Sequence, residues 1–497
     1  MTTITRNLKS AESETYDIII VGGGIYGVML LLEAAQQGQH ALLLERQDFG
    51  AETSYNSLRI IHGGLRYLQT LDITRFLESV AERQWFLRTF PDLVKPMPCL
   101  MPLYNNGVKR PSVLKAALLL NDLLSAKRNK DVPTTHAIHN GRILNAIETR
   151  QIFPGVINSG LSGAALWYDA QVTDSQRVIM ETLHWACSLG AQAFNYVEAT
   201  DILKAGDSVT GVQVADQETG KRYEYRCNNV INATGPSSRN YSERWDRDIP
   251  ELYRPSVAWN ILFDCPSPSN HALALTPDRP DAETYFLSPW KGRLLVGMGH
   301  APHKGRVIGR PIPGKELIKR FIDDMNLIMP DAKLSMDNIQ HVYSGYLPVT
   351  EEGGTKLTKR AVIHDHGRKG GPKGLYSISG IKFTTSRKEA ERTLQLILDR
   401  DKLKTHHRPK PSIASEVTYA GYDWMPLKDD TAWKIDLKHL IKHESVLHID
   451  DLVYRRTSIG DNPARVRILA EEIASLFEWD EPRKQREVST LLMSKET

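Results

Sequence analysis

The chain has 497 residues, with 63 lysines and arginines against 59 aspartates and glutamates, so its formal net charge is +4. Hydrophobic residues make up 41% and charged residues 25%, which is typical of a folded globular protein and excludes a disordered or collagen-like chain. Two or three domains are expected at this length, and so small a positive surplus does not predict nucleic acid as a partner.

The N-terminus and the cysteines bear on the compartment. Residues 1–14 lack the apolar run of a signal peptide, and no stretch approaches the roughly 20 apolar residues that a membrane-spanning helix requires. The four cysteines are widely spaced, with no CxxC pair and no metal-ligand spacing, so we expect reduced thiols and no metal. The sequence predicts a cytoplasmic protein, and peripheral contact at the inner face of the membrane is left open.

A short β-branched run at residues 17–21 is followed directly by three glycines with the spacing GxGxxG, namely Gly22, Gly24 and Gly27. This pattern predicts a buried strand, a tight turn and then a helix over residues 28–37. Glycines at these places let the backbone approach a pyrophosphate that binds at the N-terminus of the helix.

A second predicted strand, residues 40–45, ends in Glu45. An acid at this position accepts a hydrogen bond from a ribose hydroxyl. GxGxxG alone is a weak signal, but here strand, turn, helix, second strand and acid occur together. They predict a dinucleotide-binding unit.

Three later segments favour FAD over a nicotinamide cofactor. A polar loop follows at residues 46–57, and a strand at 229–233 closes on a turn of small residues. A third strand, 375–379, leads through Gly380 into a helix that runs to about residue 399. Two-domain flavoproteins close their FAD site with three such widely spaced pieces, so the sequence predicts FAD as the cofactor.

With these segments, the chain resembles the family of flavin-dependent glycerol-3-phosphate dehydrogenases and oxidases. Residues 57–68 are close to its "IHGGLRYL" signature, and the segment after Gly380 is similar to its "GGKLTTYRK". Residues 343–348 resemble its "YSGxRPL" strand, and residues 451–457 and 479–484 resemble its helical cap. The order of these motifs is specific.

The resemblance implies a mixed α/β fold of the D-amino-acid oxidase type. A Rossmann-like FAD domain is expected to be interleaved with an antiparallel-sheet substrate domain, with a small C-terminal helical domain in addition. The expected domains are the FAD-binding domain (14–95, 160–240 and 355–400), the substrate domain (96–159 and 241–354) and the C-terminal helical cap domain (401–497).

The resemblance also implies roles for individual residues. The loop at His62 would run along the flavin, Arg66 and Tyr67 would face the substrate, and Lys382 would lie at a helix N-terminus beside the flavin pyrimidine ring. A helix N-terminus and an ammonium group both stabilise the negative charge of reduced flavin.

The expected site residues follow from these roles. The catalytic candidates are His62 and His300, either as the base, and Lys382. The expected substrate contacts are Arg66, Tyr67 and Tyr346. The expected FAD contacts are Gly22, Gly24, Ile25, Tyr26, Gly27, Glu45, Arg46, Thr53, Ser54, Ser57, Ile61, His62, Gly63, Val197, Ala233, Gly235, Gly380, Lys382, Phe383 and Thr384.

Two positions in the substrate wall depart from the family pattern. Leu347 stands where the family has an arginine that binds the substrate phosphate, and His300 stands in the GMGH segment that replaces the family's GTTD. A charge-assisted hydrogen bond contributes about 1.5–3 kcal/mol, so its loss would weaken phosphate binding by about 10- to 150-fold. Glycerol 3-phosphate as the substrate is therefore in doubt. The remaining candidates for phosphate binding are Arg59, Arg66, Arg293 and Arg360.

Several side chains have simpler interpretations. His62 has a structural alternative, in which its ring is bonded to backbone. The spacing of His364 and His366 suits a metal on a strand, but no third ligand is evident, so a solvated loop is favoured. Arg455 and Arg456 are most simply a surface or interdomain salt-bridge pair.

Residues 111–125 predict an apolar helix with a basic end at 127–130. Such a helix can lie in a lipid interface with its cations at the headgroups, or it can pack in the core. Because the stretch is apolar on most faces and its basic end is short, packing is favoured.

We therefore expect an FAD-dependent dehydrogenase or oxidase that takes hydride from a carbon bearing a hydroxyl group on a small polar substrate. An oxidase of an amino acid, amine or sugar on the same scaffold is one alternative. A flavin-binding structural protein without catalytic activity is another. The expected partners are a small-molecule substrate and no nucleic acid, while a peripheral membrane contact and a homodimer are left open.

Overall fold

The computed structural model describes residues 3–104, 110–280, 282–398 and 432–493. The predicted start of the cap domain, residues 401–431, lies outside the described residues. The α-helices are α1 (Leu8–Ala11), α2 (Ile25–Gln36), α3 (Ile73–Thr89), α4 (Pro111–Leu124), α5 (Ala146–Ile152), α6 (Ser175–Ser188), α7 (Ser238–Trp245), α8 (Lys315–Ile328), α9 (Ser386–Ile397), α10 (Ala432–His443), α11 (Pro463–Ala474) and α12 (Glu481–Met493). The strands are β1 (Thr15–Val21), β2 (Ala41–Leu44), β3 (Ile60–Ile61), β4 (Val94–Leu103), β5 (Arg142–Leu144), β6 (Gly163–Val172), β7 (Gln192–Phe194), β8 (Val197–Ala205), β9 (Ser208–Asp216), β10 (Arg222–Asn232), β11 (Pro255–Phe263), β12 (Ala272–Leu275), β13 (Tyr285–Trp290), β14 (Arg293–Pro302), β15 (Ile339–Pro348), β16 (Val362–Asp365) and β17 (Leu375–Ser379).

The first sheet holds the predicted dinucleotide-binding unit. Its strands lie in the order β16-β17-β10-β1-β2-β7, and β1 pairs in parallel with both β10 and β2. The β-branched residues 18–20 of β1 are fully buried, as expected of a parallel strand covered on both faces. Helices α2, α6 and α9 pack on one face, and α1, α7 and strands β8 and β9 pack on the other.

Helix α2 begins at Ile25, three residues before its predicted start, and ends at Gln36. Gly38 follows with φ of +75°, a conformation that lets the chain leave the helix. The N-terminus of α2 therefore lies directly after the glycine turn, which places the positive end of the helix dipole at that turn.

The second sheet is mainly antiparallel, with strand order β15-β11-β14-β13-β12-β4-β6-β3 and β5 paired with β6. Helix α8 packs its buried residues, among them Phe321 and Met325, on one face of this sheet. Strand β6 pairs with β4 along its whole length, although the predicted boundaries assigned residues 163–172 to the FAD-binding domain. The mixed α/β fold class is confirmed.

The C-terminal cap, which we define as residues 432–493, comprises α10, α11 and α12 with a short π-helical segment, Asp451–Arg456. It has its own hydrophobic cluster, in which Leu437, Leu452 and Ile473 are fully buried. In the part of the chain that the structure describes, no helix combines the length and apolarity needed to cross a bilayer.

Candidate active site

The glycine turn after β1 is packed too tightly for side chains at two of its positions. Gly22 has φ of +112°, and a Cβ atom added to it would stand 2.6 Å from the Ala233 carbonyl oxygen. A Cβ atom on Gly27 would stand 1.8 Å from the Gly22 carbonyl oxygen. The turn after β1 and the turn after β10 thus touch through their backbones. Gly24 caps α2 without a side chain.

Ser54 and Glu45 hold the two sides of this turn. Ser54 Oγ accepts a hydrogen bond from the Ile25 N–H at 2.9 Å. The Glu45 carboxylate accepts from the N–H groups of Gly23 at 2.6 Å and Gln47 at 2.8 Å. Burial raises the pKa of Glu45, and these two hydrogen bonds oppose that rise. Because a carboxylate offers about four acceptor positions, Glu45 keeps acceptors for a ribose hydroxyl.

Two segments flank Glu45. The Val197 N–H donates to the Glu45 carbonyl oxygen at 2.8 Å, so β8 begins beside the acid. Arg46 is exposed and lies 3.7 Å from Glu52. Val197 and Arg46, both predicted FAD contacts, therefore lie beside Glu45.

The polar groups around the turn fit the expected FAD. Ser57 Oγ and Ser379 Oγ are buried and have no hydrogen-bond partner among the described residues. Gly235 has φ of +54°, and a Cβ atom there would meet no atom within 4 Å. A buried hydroxyl without a partner costs about 1–3 kcal/mol, so these groups favour a polar ligand between the segments. Their placement, with Glu45 and the start of α2, suits a dinucleotide.

A second cluster forms where the His62 loop meets the segment before α9. Lys382 Nζ donates a hydrogen bond to Tyr67 Oη and lies 4.6 Å from the centroid of the Tyr67 ring. The His62 ring lies 5.9 Å from the Tyr67 ring, and the His62 N–H donates to Thr384 Oγ1 at 3.3 Å. The structure therefore brings these four predicted site residues together.

Burial, and then neighbouring positive charge, lowers the pKa values of this cluster. Burial, together with Lys382 and Arg66, lowers the pKa of His62 to about 3. Burial, together with Arg75 and Arg66, lowers the pKa of Lys382 to about 8. Near pH 7 the His62 imidazole is therefore neutral, and Lys382 is mostly protonated. The cluster presents a neutral imidazole beside a cation.

Tyr26 connects α2 to the Lys382 segment. Its hydroxyl donates to the Lys382 carbonyl oxygen at 3.2 Å, and the Lys382 N–H donates back to this hydroxyl at 3.3 Å. A Cβ atom on Gly380 would stand 1.9 Å from Tyr26 Cζ, so the ring requires glycine there. The Phe383 ring lies 5.9 Å from that of Phe86 in α3. These contacts fix the backbone of Lys382.

A buried ion pair holds the other side of the His62 loop. The Gly63 N–H donates to Asp169 Oδ1 at 2.5 Å, and Asp169 pairs with Arg83 at 3.2 Å. A Cβ atom on Gly63 would stand 2.1 Å from Arg83 Nη1. Ile61, in β3, is fully buried. Sequence analysis missed Arg83 and Asp169, because no local pattern links them to the loop.

One face of the second sheet packs against the polar loop of residues 46–57 and the segment that follows it. A Cβ atom on Gly345 of β15 would stand 3.4 Å from Thr53 Oγ1, and one on Gly297 of β14 would stand 2.7 Å from Leu58 Cδ1. Glycines on this face therefore let the loop approach the sheet. We call this face the site wall.

The two positions that depart from the family pattern meet on the site wall. Leu347 lies two residues beyond Gly345 on the same face of β15, and it pairs with Ser256 of β11. Ser256 Oγ donates to the Leu347 carbonyl oxygen at 3.0 Å and lies 2.6 Å from His300 Nε2. Because that hydroxyl proton is already donated, His300 Nε2 carries the proton toward Ser256. Burial lowers the pKa of His300.

Tyr346, predicted as a substrate contact, lies on the opposite face of β15 from Gly345 and Leu347. Successive side chains of a strand point to opposite faces, so Tyr346 points away from the face of Gly345 and Leu347. It is buried, and its ring lies 5.1 Å from that of His303. The motif at residues 343–348 predicts the strand, and the alternation of side chains along β15 decides on which face Tyr346 lies.

Arg360, another candidate phosphate-binding arginine, lies near Lys382. It lines a cleft together with Arg75, Lys359 and Lys382, and Tyr26 forms part of the same wall. The Arg75 guanidinium lies 4.5 Å from the centroid of the Tyr67 ring. Sequence analysis missed Arg75, since it lies in α3 outside the motifs.

The other candidate arginines differ in their surroundings. Arg66 is exposed beside Tyr67. Arg59 is buried, and its guanidinium lies 4.5 Å from the Trp290 ring. Arg293 pairs with Asp264 at 3.0 Å, at the opposite end of β14 from His300. Of these three, Arg66 is the one with a surface position next to the cluster.

His366 is buried and does not lie in a solvated loop, which contradicts the prediction for it. Its Nδ1 lies 2.8 Å from Asp246 Oδ2, and its Nε2 lies 2.9 Å from Ser377 Oγ. Ser377 Oγ also accepts from Asn232 Nδ2 at 3.2 Å, and Asn232 Oδ1 accepts from Thr234 Oγ1 at 2.7 Å. This chain of hydrogen bonds ends at the turn after β10. The described residues contain no cluster of side chains suited to a metal ion.

Comparison with known proteins shows the family to which this chain belongs. A model of the family described as FAD dependent oxidoreductase matches residues 17–386. A protein named glycerol-3-phosphate dehydrogenase from Synechocystis sp. is 30% identical over 458 residues, which cover 89% of this chain and 80% of that protein. Glycerol-3-phosphate dehydrogenase 1 of Mycobacterium bovis is 29% identical over 511 residues, which cover 94% of this chain and 96% of that protein.

A solved structure has the same fold. It is the glycerol-3-phosphate dehydrogenase from Bacillus halodurans complexed with FAD, with a TM-score of 0.70 and 18% sequence identity. The match covers 98% of this chain and 95% of that one. The shared fold therefore extends through nearly the whole molecule, including the C-terminal region.

Proposed function

The chain belongs to the family of FAD-dependent oxidoreductases, and from this premise we propose that it oxidises a CH–OH group of a small polar substrate. It is an FAD-dependent dehydrogenase or oxidase. The observation that carries the proposal is the cluster in which Lys382 donates to Tyr67 beside the His62 ring. This cluster adjoins the segments that fit the cofactor.

The side chains of the cluster divide the chemistry between them. When bound, FAD supplies the hydride acceptor. Lys382 holds a positive charge at the start of α9, where it stabilises negative charge that develops during the reaction. Tyr67, fixed by Lys382, orients the substrate hydroxyl. His62, neutral near pH 7, holds an acceptor nitrogen for the proton of that hydroxyl.

His300 is the second candidate for the proton acceptor. Its Nε2 is bonded to Ser256 on the site wall, so Nδ1 is the nitrogen left to accept. Burial lowers its pKa, which keeps the imidazole neutral. No hydrogen bond or ring contact joins His300 to His62 or Lys382 among the described residues, and this favours His62.

The substrate that we propose is a small alcohol with an anionic group, as in the relatives named glycerol-3-phosphate dehydrogenase. Arg75, Arg360 and Lys382 line one cleft together with Lys359, Glu78 and Glu389, and the surplus of cations over acids favours an anion. Leu347, in contrast, places an apolar side chain on the site wall. We therefore propose that phosphate binding is weaker than an arginine at 347 would give. An oxidase of an amino acid, amine or sugar is the alternative.

Anaerobic bleaching of the flavin by a panel of polyol phosphates, hydroxy acids, amino acids and sugars tests the proposal. We expect a hydroxyl substrate to bleach the flavin, and Leu347→Arg to lower the concentration of glycerol 3-phosphate needed by about 10- to 150-fold. Leu327→Arg, at an exposed position of α8, is the control and should change nothing. Bleaching by amino acids alone would overturn the proposal.

We also propose that α4 contacts a membrane surface. The sequence favours packing of this helix in the core. In the structure, however, only two of the leucines in the first three turns of α4, Leu114 and Leu118, are buried, and Val113 is exposed. Leu119 is 63% exposed and Leu123 is 74% exposed, with the exposed Lys127 one turn further on. An apolar stripe that ends in cations suits an anionic lipid interface.

The position of α4 supports this proposal. Leu124 of α4 packs against the cluster of Tyr67 and Leu68. The exposed apolar residues therefore lie on a helix that contacts the segment of Tyr67 and Leu68. A membrane contact there would place the site near the lipid surface.

A further inference from the structure

Asp48 is a fully buried carboxylate three residues beyond Glu45. It accepts hydrogen bonds from Arg455 Nε at 2.6 Å and from Arg456 Nη1 at 2.7 Å and Nη2 at 2.8 Å. Asn195 Nδ2 donates to Asp48 Oδ1 at 2.9 Å, the oxygen that also accepts from Arg456 Nη2. Burial alone would raise the pKa of Asp48, but Arg456 and Arg455 bring it below its usual value. Arg455 and Arg456 are thus a buried pair that joins the cap to the first sheet.

The residues on either side of Asp48 touch the glycine turn directly. The Gly50 N–H donates to the Gly23 carbonyl oxygen at 3.0 Å. A Cβ atom on Gly23 would stand 3.1 Å from a ring carbon of Phe49. Glu45, on the other side, accepts from the Gly23 N–H. A displacement of Asp48 would therefore move both the turn and its ribose-binding acid.

A second contact of the cap reaches the same turn through α6. Glu444, fully buried, pairs with Arg177 at 2.8 Å, and its carbonyl oxygen accepts from Arg456 Nε at 3.1 Å. Gln176, the neighbour of Arg177, donates through Nε2 to the Gly50 carbonyl oxygen at 3.1 Å. The cap thus acts on Gly50 from two directions.

A third contact reaches the start of β8. Tyr196 Oη donates to Asp451 Oδ1 at 2.6 Å, and the Tyr196 N–H donates to the Gln47 carbonyl oxygen at 2.9 Å. Tyr196 directly precedes Val197, a predicted FAD contact. All three contacts of the cap therefore converge on the adenosine end of the site, where Glu45 lies.

We propose that the C-terminal cap is a clamp on the adenosine end of the FAD site, with Arg455 and Arg456 as positioning residues that act through Asp48. The clamp fixes the glycine turn and Glu45 in their binding geometry before the cofactor arrives. Lys382, Tyr67 and His62 make none of these contacts. The inference rests on FAD as the cofactor and not on the substrate proposed above.

FAD titration of the apoprotein, followed by flavin fluorescence, tests the clamp. Arg455→Met leaves Asp48 paired with Arg456, and we expect the FAD dissociation constant to rise at least tenfold. The rate of substrate oxidation at saturating FAD should stay within twofold. Lys291→Met is the matched control, because Lys291 pairs with Asp461 of the cap at 3.0 Å but joins it to the second sheet. Its FAD affinity should change less than threefold.

Two further variants guard against a purely structural effect. Arg455→Lys keeps the charge and should recover most of the FAD affinity. Tyr196→Phe removes one hydrogen bond to Asp451 without leaving a buried charge unpaired. It replaces Arg455→Met as the test variant if Arg455→Met does not fold. We expect it to raise the FAD dissociation constant about threefold. A lower melting temperature with unchanged FAD affinity in these variants would overturn the clamp. Because FAD affinity is measured without substrate, that result would leave the proposed reaction untouched.

Discussion

Burial, and then Arg75 and Arg66, lower the pKa of Lys382 to about 8, although Glu78 and Glu389 oppose them. A buried cation held near other cations is destabilised, and it gains most from an anion that arrives or forms beside it. Negative charge is therefore electrostatically favoured beside Lys382. Lys382 would therefore stabilise negative charge on a bound flavin, as proposed above.

Lys382→Met should slow the reduction of bound flavin by substrate about 10- to 150-fold, because one charge-assisted interaction contributes about 1.5–3 kcal/mol. FAD affinity should change less than threefold, because Lys382 makes none of the contacts that hold Glu45 and the glycine turn. Stopped-flow measurement of flavin bleaching gives the rate. Lys388→Met, on α9 and paired with Glu391, is the control. A loss of FAD binding with unchanged reduction would contradict this role.

The same lysine predicts a pH dependence. Because its pKa is about 8, the ammonium form is present below pH 8 and is lost as the pH rises through that value. The rate of flavin reduction in the wild type should therefore fall above pH 8. The decline should be absent in Lys382→Met, which has no proton to lose.

Sequence motifs located the backbone of the site better than its side chains. Gly22 and Gly27 were identified because only glycine fits between backbone atoms there, and such a constraint leaves a readable spacing. The burial of His366 was not predicted, because burial depends on partners elsewhere in the chain. Arg75 and Asp169 carried no signal at all.

At the scale of elements, helix α4 shows how composition and exposure differ. Its apolar residues suggested packing, yet its outward stripe carries Leu119 and Leu123. We expect the double variant Leu119→Ser and Leu123→Ser to lose co-sedimentation with vesicles of anionic phospholipid at low salt, because both the apolar contact and the depth of insertion fall.

A matched variant separates this effect from general surface hydrophobicity. Ile468→Ser, on α11 of the cap, removes an apolar side chain that is 71% exposed and should leave vesicle binding unchanged. If the wild-type protein stays entirely in the supernatant at all lipid concentrations, the membrane contact does not exist.

Strand pairing also limited what the sequence could predict. Residues 17–21 were assigned correctly as a strand because a β-branched run before a glycine turn is a local pattern. Residues 163–172 form β6, and no local sequence pattern shows that they pair with β4. The FAD-domain segment 160–240 therefore included a strand of the second sheet.

At the scale of the whole molecule, the cap is joined to the body by buried charges. Glu444 is fully buried, and Arg177 and His184 bring its pKa to about 2 although burial opposes them. A carboxyl with a lowered pKa in the folded state stabilises the fold above its unfolded pKa, and that stability is lost as the pH falls. The contact is separated by 267 positions in sequence, so no local pattern could reveal it.

This linkage predicts how stability changes with acid. Between about pH 4.5 and pH 2 the wild type should lose roughly 3 kcal/mol of unfolding free energy through Glu444. Glu444→Gln should be less stable at pH 7 and should show a smaller decline in this range. Urea unfolding at a series of pH values measures both. Glu472→Gln, at the cap surface, should keep the wild-type decline, and an equal decline in Glu444→Gln would contradict the assignment.

The hydrogen-bond chain of Asp246, His366 and Ser377 has a consequence for how enzymes are classified from geometry. An acid, an imidazole and a hydroxyl follow one another at 2.8 and 2.9 Å, which is the order of a serine hydrolase triad. Ser377 is nevertheless fully buried in β17, and its oxygen is also bonded to Asn232. No acyl group can reach the Ser377 hydroxyl. A search for the side-chain geometry of a catalytic triad would therefore identify Ser377 as a nucleophile, although its hydrogen bonds are structural.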